Sequence, residues 1–219
     1  MAATNYTVLV NRLRIAANDT ATSNPHSQET PTGVRNGTNT TFKLANPNIV
    51  AGSNFLSYGA TVRSASGFSI LDAPTGYITM GAAPDSGATE PFFFDYFHQW
   101  FVDADYQTML DEATDTIGPP LGISAGTDLP TGLYPAQVAY ALVEYWNRRA
   151  SQFANLFASK VTTAESHPET PSQNFGKLAT AAQKKADALL LAYWKRNGAR
   201  NAPASGTISY GISQYTPRR

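Results

Sequence analysis

The chain has 219 residues, of which 42% are apolar, with 11 Phe, 11 Tyr and 3 Trp, and its 16 basic and 16 acidic residues cancel. A chain of this size and composition can bury a core without covalent staples. The absence of cysteine excludes disulfides and thiolate metal sites. The start lacks a basic segment followed by an apolar run, and no apolar stretch reaches about 18 residues, so we expect a cytoplasmically made protein that does not cross a membrane.

Charge is segregated along the chain. Residues 64–147 contain eleven acidic residues and no Lys or Arg, whereas residues 148–219 contain eleven basic and three acidic residues. Such segregation bears on association and steering rather than on fold. Two interpretations stay open: the blocks contact each other within one subunit, or they contact each other between subunits.

The first predicted element is a short helix over about residues 5–17, because apolar residues recur at helical spacing and Asn5 can cap its start. Asn18-Asp19 is predicted to end this helix. The Thr-, Ser-, Asn- and Pro-rich stretch that continues to Thr32 predicts a long flexible connection.

The pattern changes between about residues 34 and 101, where short β-branched and aromatic runs alternate with turn residues. The predicted strands cover 41–44, 54–58, 61–63, 68–71, 77–80 and 92–100. A spacing of about ten residues with Gly- and Pro-containing turns is typical of antiparallel strands. We therefore expect one antiparallel meander or small barrel of five or six strands.

A second short helix is predicted from Asp103 to about Thr116. Asp103 is the expected N-cap, and Asp105 lies in the first turn, where the helix dipole favours a carboxylate. Gly118-Pro119-Pro120 is expected to end the helix.

Two long helices follow. The first is predicted from Pro135 to about Val161, with an apolar register that also includes Arg149. The second is predicted over about 172–197, with Gly198 as its C-terminal cap. Its expected apolar face comprises Phe175, Leu178, Ala182, Ala186, Leu189, Leu190 and Tyr193.

The last 21 residues, 199–219, are predicted to form an extended tail. Ile208, Tyr210 and Ile212 alternate, so one side of an added strand would be apolar. Docking of this tail and a free terminus are both compatible with the pattern.

No catalytic site is predicted. His26 and His167 stand beside prolines in expected loops, so we expect exposed side chains, whereas His98 lies in an aromatic strand and is expected to be packed. The segment Gly122-Ile-Ser-Ala-Gly126 matches the elbow of serine hydrolases, but it lacks the strand before and the helix after that this elbow requires.

No metal or cofactor site is predicted either. Carboxylates gather on and before the second helix, at Asp103, Asp105, Asp111, Glu112 and Asp115. They do not share one helix face, so capping and solvent exposure are expected rather than cation binding. Glycine-rich phosphate loops are also missing.

The last helix carries a group of basic residues: Lys177, Lys184, Lys185, Lys195 and Arg196. A basic stripe can contact phosphates without reading bases, and it can equally be a solvated polar face. Both interpretations remain open at this stage.

Four features together resemble the head-to-tail connector (adaptor) proteins that form a ring under the portal of tailed phages. They are an N-terminal helix ending in Arg12-Leu-Arg-Ile-Ala-Ala-Asn-Asp19, a helix opening Phe101-Val-Asp-Ala-Asp-Tyr-Gln-Thr-Met-Leu-Asp-Glu-Ala113, the antiparallel pair 135–161 and 172–197, and an aromatic-bearing tail ending in Arg218-Arg219. The inserted segment 34–101 departs from the simplest, all-helical adaptors.

The resemblance implies a homododecameric ring of structural subunits in the virion neck, made in the host cytoplasm, that continues the DNA channel between the portal and a tail or further neck protein. It implies no cofactor, and contact with passing DNA would be non-specific. The implied portal-binding tail comprises Ile208, Tyr210, Ile212, Tyr215, Arg218 and Arg219. The five basic residues of the last helix would line a subunit interface or the channel, and the five carboxylates of 103–115 would form the complementary acidic surface.

The expected fold is therefore α+β. A small helical bundle of two long antiparallel helices and two shorter ones (1–33 and 102–198) carries an inserted antiparallel β-module (34–101) and an extended C-terminal tail (199–219). Other functions remain open: a different neck or tail component (tail-completion, decoration or fibre-attachment protein), a non-specific DNA-binding module, or a small carboxylate-dependent hydrolase using Asp103, Asp105 or Asp111.

Overall fold

A computed structural model describes residues 3–53, 55–58, 61–63, 68–84, 92–124, 127–158 and 171–197. Over these ranges the protein is α+β, with four α-helices and two small antiparallel sheets. The elements are α1 (Ala3–Ala17), β1 (Pro25–Glu29), β2 (Thr41–Lys43), β3 (Phe55–Tyr58), β4 (Thr61–Arg63), β5 (Phe68–Asp72), β6 (Tyr77–Met80), β7 (Phe92–Phe97), α2 (Asp103–Ile117), α3 (Tyr134–Ala158) and α4 (Pro171–Asn197).

Helix α1 ends where the sequence predicted, and the cause is a left-handed residue. Asn18 has φ 53°, a conformation that Asn tolerates better than most residues. The Asn18 N–H then donates to the Ile15 carbonyl, and the Asp19 N–H donates to the Arg14 carbonyl. This pair of bonds is the Schellman arrangement, which satisfies the last carbonyls of a helix and turns the chain away.

All six predicted β runs contain a strand, but the prediction of one meander or barrel is wrong. The strands form a four-stranded sheet in the order β1-β7-β3-β4 and a three-stranded sheet in the order β2-β6-β5. Alternate residues of β7, including Phe94, are buried in a cluster shared with Phe42 of β2 and Ile78 of β6. The sheets therefore face each other across one apolar layer, an arrangement decided by which runs pair at long range.

A seventh strand lies inside the stretch that was predicted to be a flexible connection. β1 pairs antiparallel with β7, so the strand-bearing part begins upstream of residue 34. Its sequence, Pro-His-Ser-Gln-Glu, lacks an alternating apolar pattern. Gln28 adopts φ 56°, the register shifts between His26 and Glu29, and the Gln28 N–H donates to the Asp95 carboxylate at 2.7 Å. β1 is therefore held by its partner strand rather than by local propensity.

The span predicted for α2 is confirmed, but the predicted N-cap is wrong. The N-cap is Val102, which is extended at φ −82° and ψ 166°, and Asp103 is the first helical residue. The Asp105 carboxylate accepts the Val102 N–H at 3.1 Å, which is the N3 half of a capping box. The carboxylate of Asp103 binds Arg14 instead of capping the helix.

Helices α3 and α4 are antiparallel, since Phe153 near the end of α3 contacts Phe175 near the start of α4, and Ala136 at the other end of α3 clusters with Tyr193. Ala179, Ala182 and Ala186 are the buried residues of α4. Leu178, expected on the apolar face, is 44% exposed, because small side chains let α4 approach α3 along a face centred on the alanines.

Several predictions fall outside the described residues: the cap at Gly198, the polar break at 162–170 and the tail at 199–219. Among the helices that are described, none is both long and apolar enough to cross a bilayer.

Candidate functional site

The chain passes twice between the helices and the β-module, and both passages meet at the carboxylate of Asp19. This side chain is fully buried. It accepts hydrogen bonds from the Trp100 backbone N–H at 3.0 Å, the Asn24 amide at 2.8 Å and the Tyr106 hydroxyl at 2.5 Å. Three donors satisfy this buried acceptor, so Asp19 joins the end of α1, the approach to β1 and the start of α2.

Arg14 lies beside this carboxylate and is also buried. Its guanidinium binds Asp103 through Nη2 at 2.7 Å and Nε at 3.1 Å, and it donates to the backbone carbonyls of Asp19 and Phe101. The guanidinium carbon is 4.3 Å from the centre of the Tyr106 ring. Burial and the charge of Asp19 raise the pKa of the Tyr106 phenol far above its usual value, so this hydroxyl stays a donor.

The backbone of Trp100 binds Asp19, whereas its ring contacts a second buried cation, Arg149. The guanidinium carbon of Arg149 is 3.3 Å from the Trp100 ring centre, 4.8 Å from that of Phe153 and 5.3 Å from that of Phe175. Burial lowers the pKa of Arg149. These contacts of Arg149 with three aromatic rings therefore link the segment after β7, the end of α3 and the start of α4.

His98 is packed, as predicted for a residue in an aromatic strand. It is 5% exposed, meets the Trp100 ring edge-on at 4.7 Å, and neither ring nitrogen has a hydrogen-bond partner. Burial lowers the pKa of the imidazole. The neutral form is thus the one that fits this position.

His26 differs from its prediction, because it belongs to strand β1 rather than to a loop, and its side chain is only 40% exposed. Its Nε2 lies 3.0 Å from the Glu29 carboxylate, which also accepts the Tyr96 hydroxyl at 2.5 Å. Burial and this hydrogen bond raise the pKa of Tyr96. The cluster holds β1 against β7; His167 lies outside the described residues.

The acidic surface predicted from the sequence is divided by the fold, because four of its five carboxylates have a partner in the chain. The partners are Arg14 for Asp103, the Val102 N–H for Asp105, the Tyr6 hydroxyl for Asp111 and Arg148 for Glu112. The fifth, Asp115, is exposed. Asp103 and Glu112 nevertheless remain at the surface, with side chains that are 72% and 49% exposed.

Arg148 shows where the acidic and basic blocks of the sequence meet within one chain. It donates to Glu112 of α2 at 2.9 Å and to Glu144 of α3 at 3.0 Å. The interpretation that the blocks contact each other inside the subunit is thus correct for this arginine.

The five basic residues predicted on the last helix are all exposed on α4: Lys177, Lys184, Lys185, Lys195 and Arg196. At about 100° per residue, Lys177, Lys184 and Lys195 lie within about 20° of one another and about 180° from Ala186. Because Ala186 faces α3, these three lysines form a row, hereafter the basic row, on the side of α4 that points away from the bundle.

The other chemical motifs do not assemble into a site. Ser124 of the Gly-x-Ser-x-Gly match lies in a loop after α2 and a 3-10 turn, not after a strand. Within the described ranges, no three His, Asp or Glu side chains are placed to hold a metal ion together.

Sequence reasoning missed Arg14 and Asp19, although a signal existed for the first. Arg14 follows Val10 by four residues and precedes Ala17 by three, so it occupies the buried face of α1. A charged residue on such a face predicts a buried partner. Asp19 was interpreted only as a helix breaker, and nothing local shows that two of its partners, Trp100 and Tyr106, lie 81 and 87 residues away.

No protein family, curated protein or solved structure matches this chain.

Proposed function

We propose that the chain is a structural subunit of a phage neck: a head-to-tail connector that forms a ring between the portal and the tail and continues the DNA channel. The observation that supports this proposal most is the way in which α4 packs on the rest of the chain. This 27-residue helix packs along α3 through small side chains and leaves a long basic side exposed. A helix with one exposed, basic side is suited to assembly with a surface of negative charge.

The polar groups of the core agree with a structural role. Asp19, Arg14 and Arg149 are buried and engaged in contacts between elements. Groups of this kind fix the positions of helices and sheets relative to one another. A ring subunit needs such fixed positions, because every copy must present the same surfaces to its neighbours.

The β-module is the part that meets a second partner in this proposal. Its two sheets pack on each other through a core of their own, which is separate from the core of the helices. The outer surfaces of the β-module can therefore vary without a change in the packing of the helices. A tail or further neck protein is the proposed contact.

Ring formation is the direct test. Negative-stain imaging and mass photometry of the purified chain, with and without the portal ring of the same virus, should show closed rings or subunits added to the portal. A chain that stays monomeric and unbound in both samples would refute the proposal.

The portal contact of the tail is tested separately. Tyr210→Ala combined with Tyr215→Ala should weaken portal binding, because aromatic anchors dominate small interfaces. The matched control is Tyr77→Ala, which removes an exposed aromatic of the β-module and should leave portal binding unchanged.

A further inference from the structure

Tyr6 of α1 binds Asp111 of α2, Asp115 lies one turn further along α2, and Asp128 precedes α3. The Tyr6 hydroxyl donates to Asp111, and burial together with the charges of Asp111, Asp128 and Asp115 raises the pKa of this phenol. Asp115 and Asp128 are exposed, and in the described ranges neither forms an ion pair. We call Asp111, Asp115 and Asp128 the acidic patch.

The patch and the basic row lie on different elements of the chain: Asp111 and Asp115 on α2, Asp128 before α3, and the three lysines on α4. Helix α1 packs against α2 and α3, whereas α4 packs along α3 with its alanine face. The basic row lies on the side of α4 opposite Ala186, which is buried against α3. Each copy thus presents exposed groups of opposite charge on two different parts of its surface.

The basic row is long enough to be a docking surface. From Lys177 to Lys195 it spans 18 residues, or about 27 Å of helix at 1.5 Å per residue. Lys185 and Arg196 extend it on one flank, and Leu178 and Leu191, 44% and 47% exposed, add apolar area beside the charges. The surface is therefore mixed, with apolar contacts as well as charge.

We propose that the basic row of α4 docks on the acidic patch of a second copy of this chain. The contact is heterologous, since two different surfaces meet, and contacts of this kind generate closed rings when the rotation closes. The inference rests on the proposed connector function and names its subunit interface. Of the five carboxylates predicted from sequence as the acidic surface, the proposed contact uses Asp111 and Asp115, and it adds Asp128.

The test is a charge exchange between the two surfaces, made in the full-length chain. One variant carries Lys184→Glu with Lys195→Glu, and the other carries Asp115→Lys with Asp128→Lys. Each places like charges at the contact, so each alone should need about tenfold or more higher concentration to assemble than the wild-type chain. Assembly is measured by mass photometry at low and high salt.

Mixing provides the decisive result. In an equimolar mixture the two glutamates introduced in one variant meet the two lysines introduced in the other, and the converse contact is the wild-type one, so alternating rings should form. The chain carrying all four substitutions should assemble by itself for the same reason. Wild-type assembly should weaken as salt is raised, because exposed charges are screened.

A matched control reverses two exposed charges elsewhere, Arg12→Glu with Lys43→Glu, and should assemble as the wild type does. If the wild type forms rings and neither surface variant is impaired, or if both are impaired and the mixture stays unassembled, the proposed contact is wrong while the connector function stands. If the wild type forms no ring either alone or on the portal, the connector function itself fails.

Discussion

Asp19 is a buried residue that joins the helices to the β-module. Its carboxylate is satisfied by donors from three separate parts of the chain, Asn24, Trp100 and Tyr106. Removing the carboxylate leaves these donors buried, and each unsatisfied buried donor costs free energy that water no longer repays.

We expect Asp19→Ala to lower the free energy of unfolding by about 3 kcal/mol or more, because it also removes the carboxylate that lies 4.0 Å from the buried guanidinium of Arg14. Urea denaturation followed by circular dichroism measures this change. Asp128→Ala, at an exposed carboxylate, should change stability by less than about 0.5 kcal/mol. Equal effects of the two substitutions would show that the buried network is not stabilising.

His98 makes the stability of the junction depend on pH. Burial lowers its pKa from the usual 6.5; His26 and Arg149 act in the same direction, whereas Asp19 and Glu29 oppose them. The unfolded chain therefore takes up a proton at a higher pH than the folded chain does. It follows that His98 costs no stability above about pH 6.5 and increasingly destabilises the fold as the pH falls below that value.

We expect the unfolding midpoint of the wild type to fall between pH 7.5 and pH 5.5, and the fall to be smaller in His98→Phe, which keeps a ring but cannot be protonated. Thermal denaturation over this pH range measures the effect. His26→Gln, in the neighbouring strand, should retain most of the pH dependence. Identical slopes for the wild type and His98→Phe would exclude His98 as the titrating group.

At the scale of elements, the turn between β5 and β6 depends on one glycine. Gly76 has φ 79°, and a Cβ built there would lie 2.8 Å from the Asn46 carbonyl oxygen. Gly52 has a similar φ of 75° but nothing within 4 Å of its Cβ position. The two glycines therefore separate the cost of the left-handed backbone from the cost of the clash.

We expect Gly52→Ala to cost about 1 kcal/mol, because only the left-handed backbone disfavours the new side chain. Gly76→Ala should cost more, since the Asn46 carbonyl must also move. Denaturant unfolding of both variants measures the difference. A similar loss in the two proteins would mean that the clash is relieved without cost.

The positions of the helices and of six of the seven described strands followed from local sequence, but their partners did not. The runs at 41–44, 77–80 and 92–100 are alternating or aromatic, which is sufficient to predict strands. Their division into two sheets depends on pairing β7 with β1 and β3, over separations that no local pattern records. The polar strand β1 was missed because its stability comes from β7.

At the scale of the whole molecule, the β-module and the helices are joined through aromatic and cationic side chains. Trp100 follows the last strand, and its ring lies under Arg149 of α3, which also contacts Phe175 of α4. Arg149 thus connects the segment after the β-module to both long helices.

We expect a double-mutant cycle with Arg149→Met and Trp100→Leu to give a coupling of about 1 to 2 kcal/mol, as for a desolvated cation–π pair. The matched control is the pair Lys43 and Tyr77, where the ammonium is 5.4 Å from the ring centre. At that exposed site the coupling should be about 0.5 kcal/mol. Couplings of the same size would show that burial adds nothing to the contact of Arg149.

The amino-acid sequence by itself determined the α+β class, the positions of the helices and most strands, the end of α1 at Asn18 and the basic character of α4. These features depend on periodicity, capping and turn residues, which act over a few positions. Only the tertiary structure decided that the strands form two sheets, that Arg14 and Asp19 meet the residues around 100–106, and that four of the five predicted carboxylates have partners in their own chain. Long-range pairing decides those points, because a buried charge or a strand edge is satisfied by whichever partner the fold brings to it.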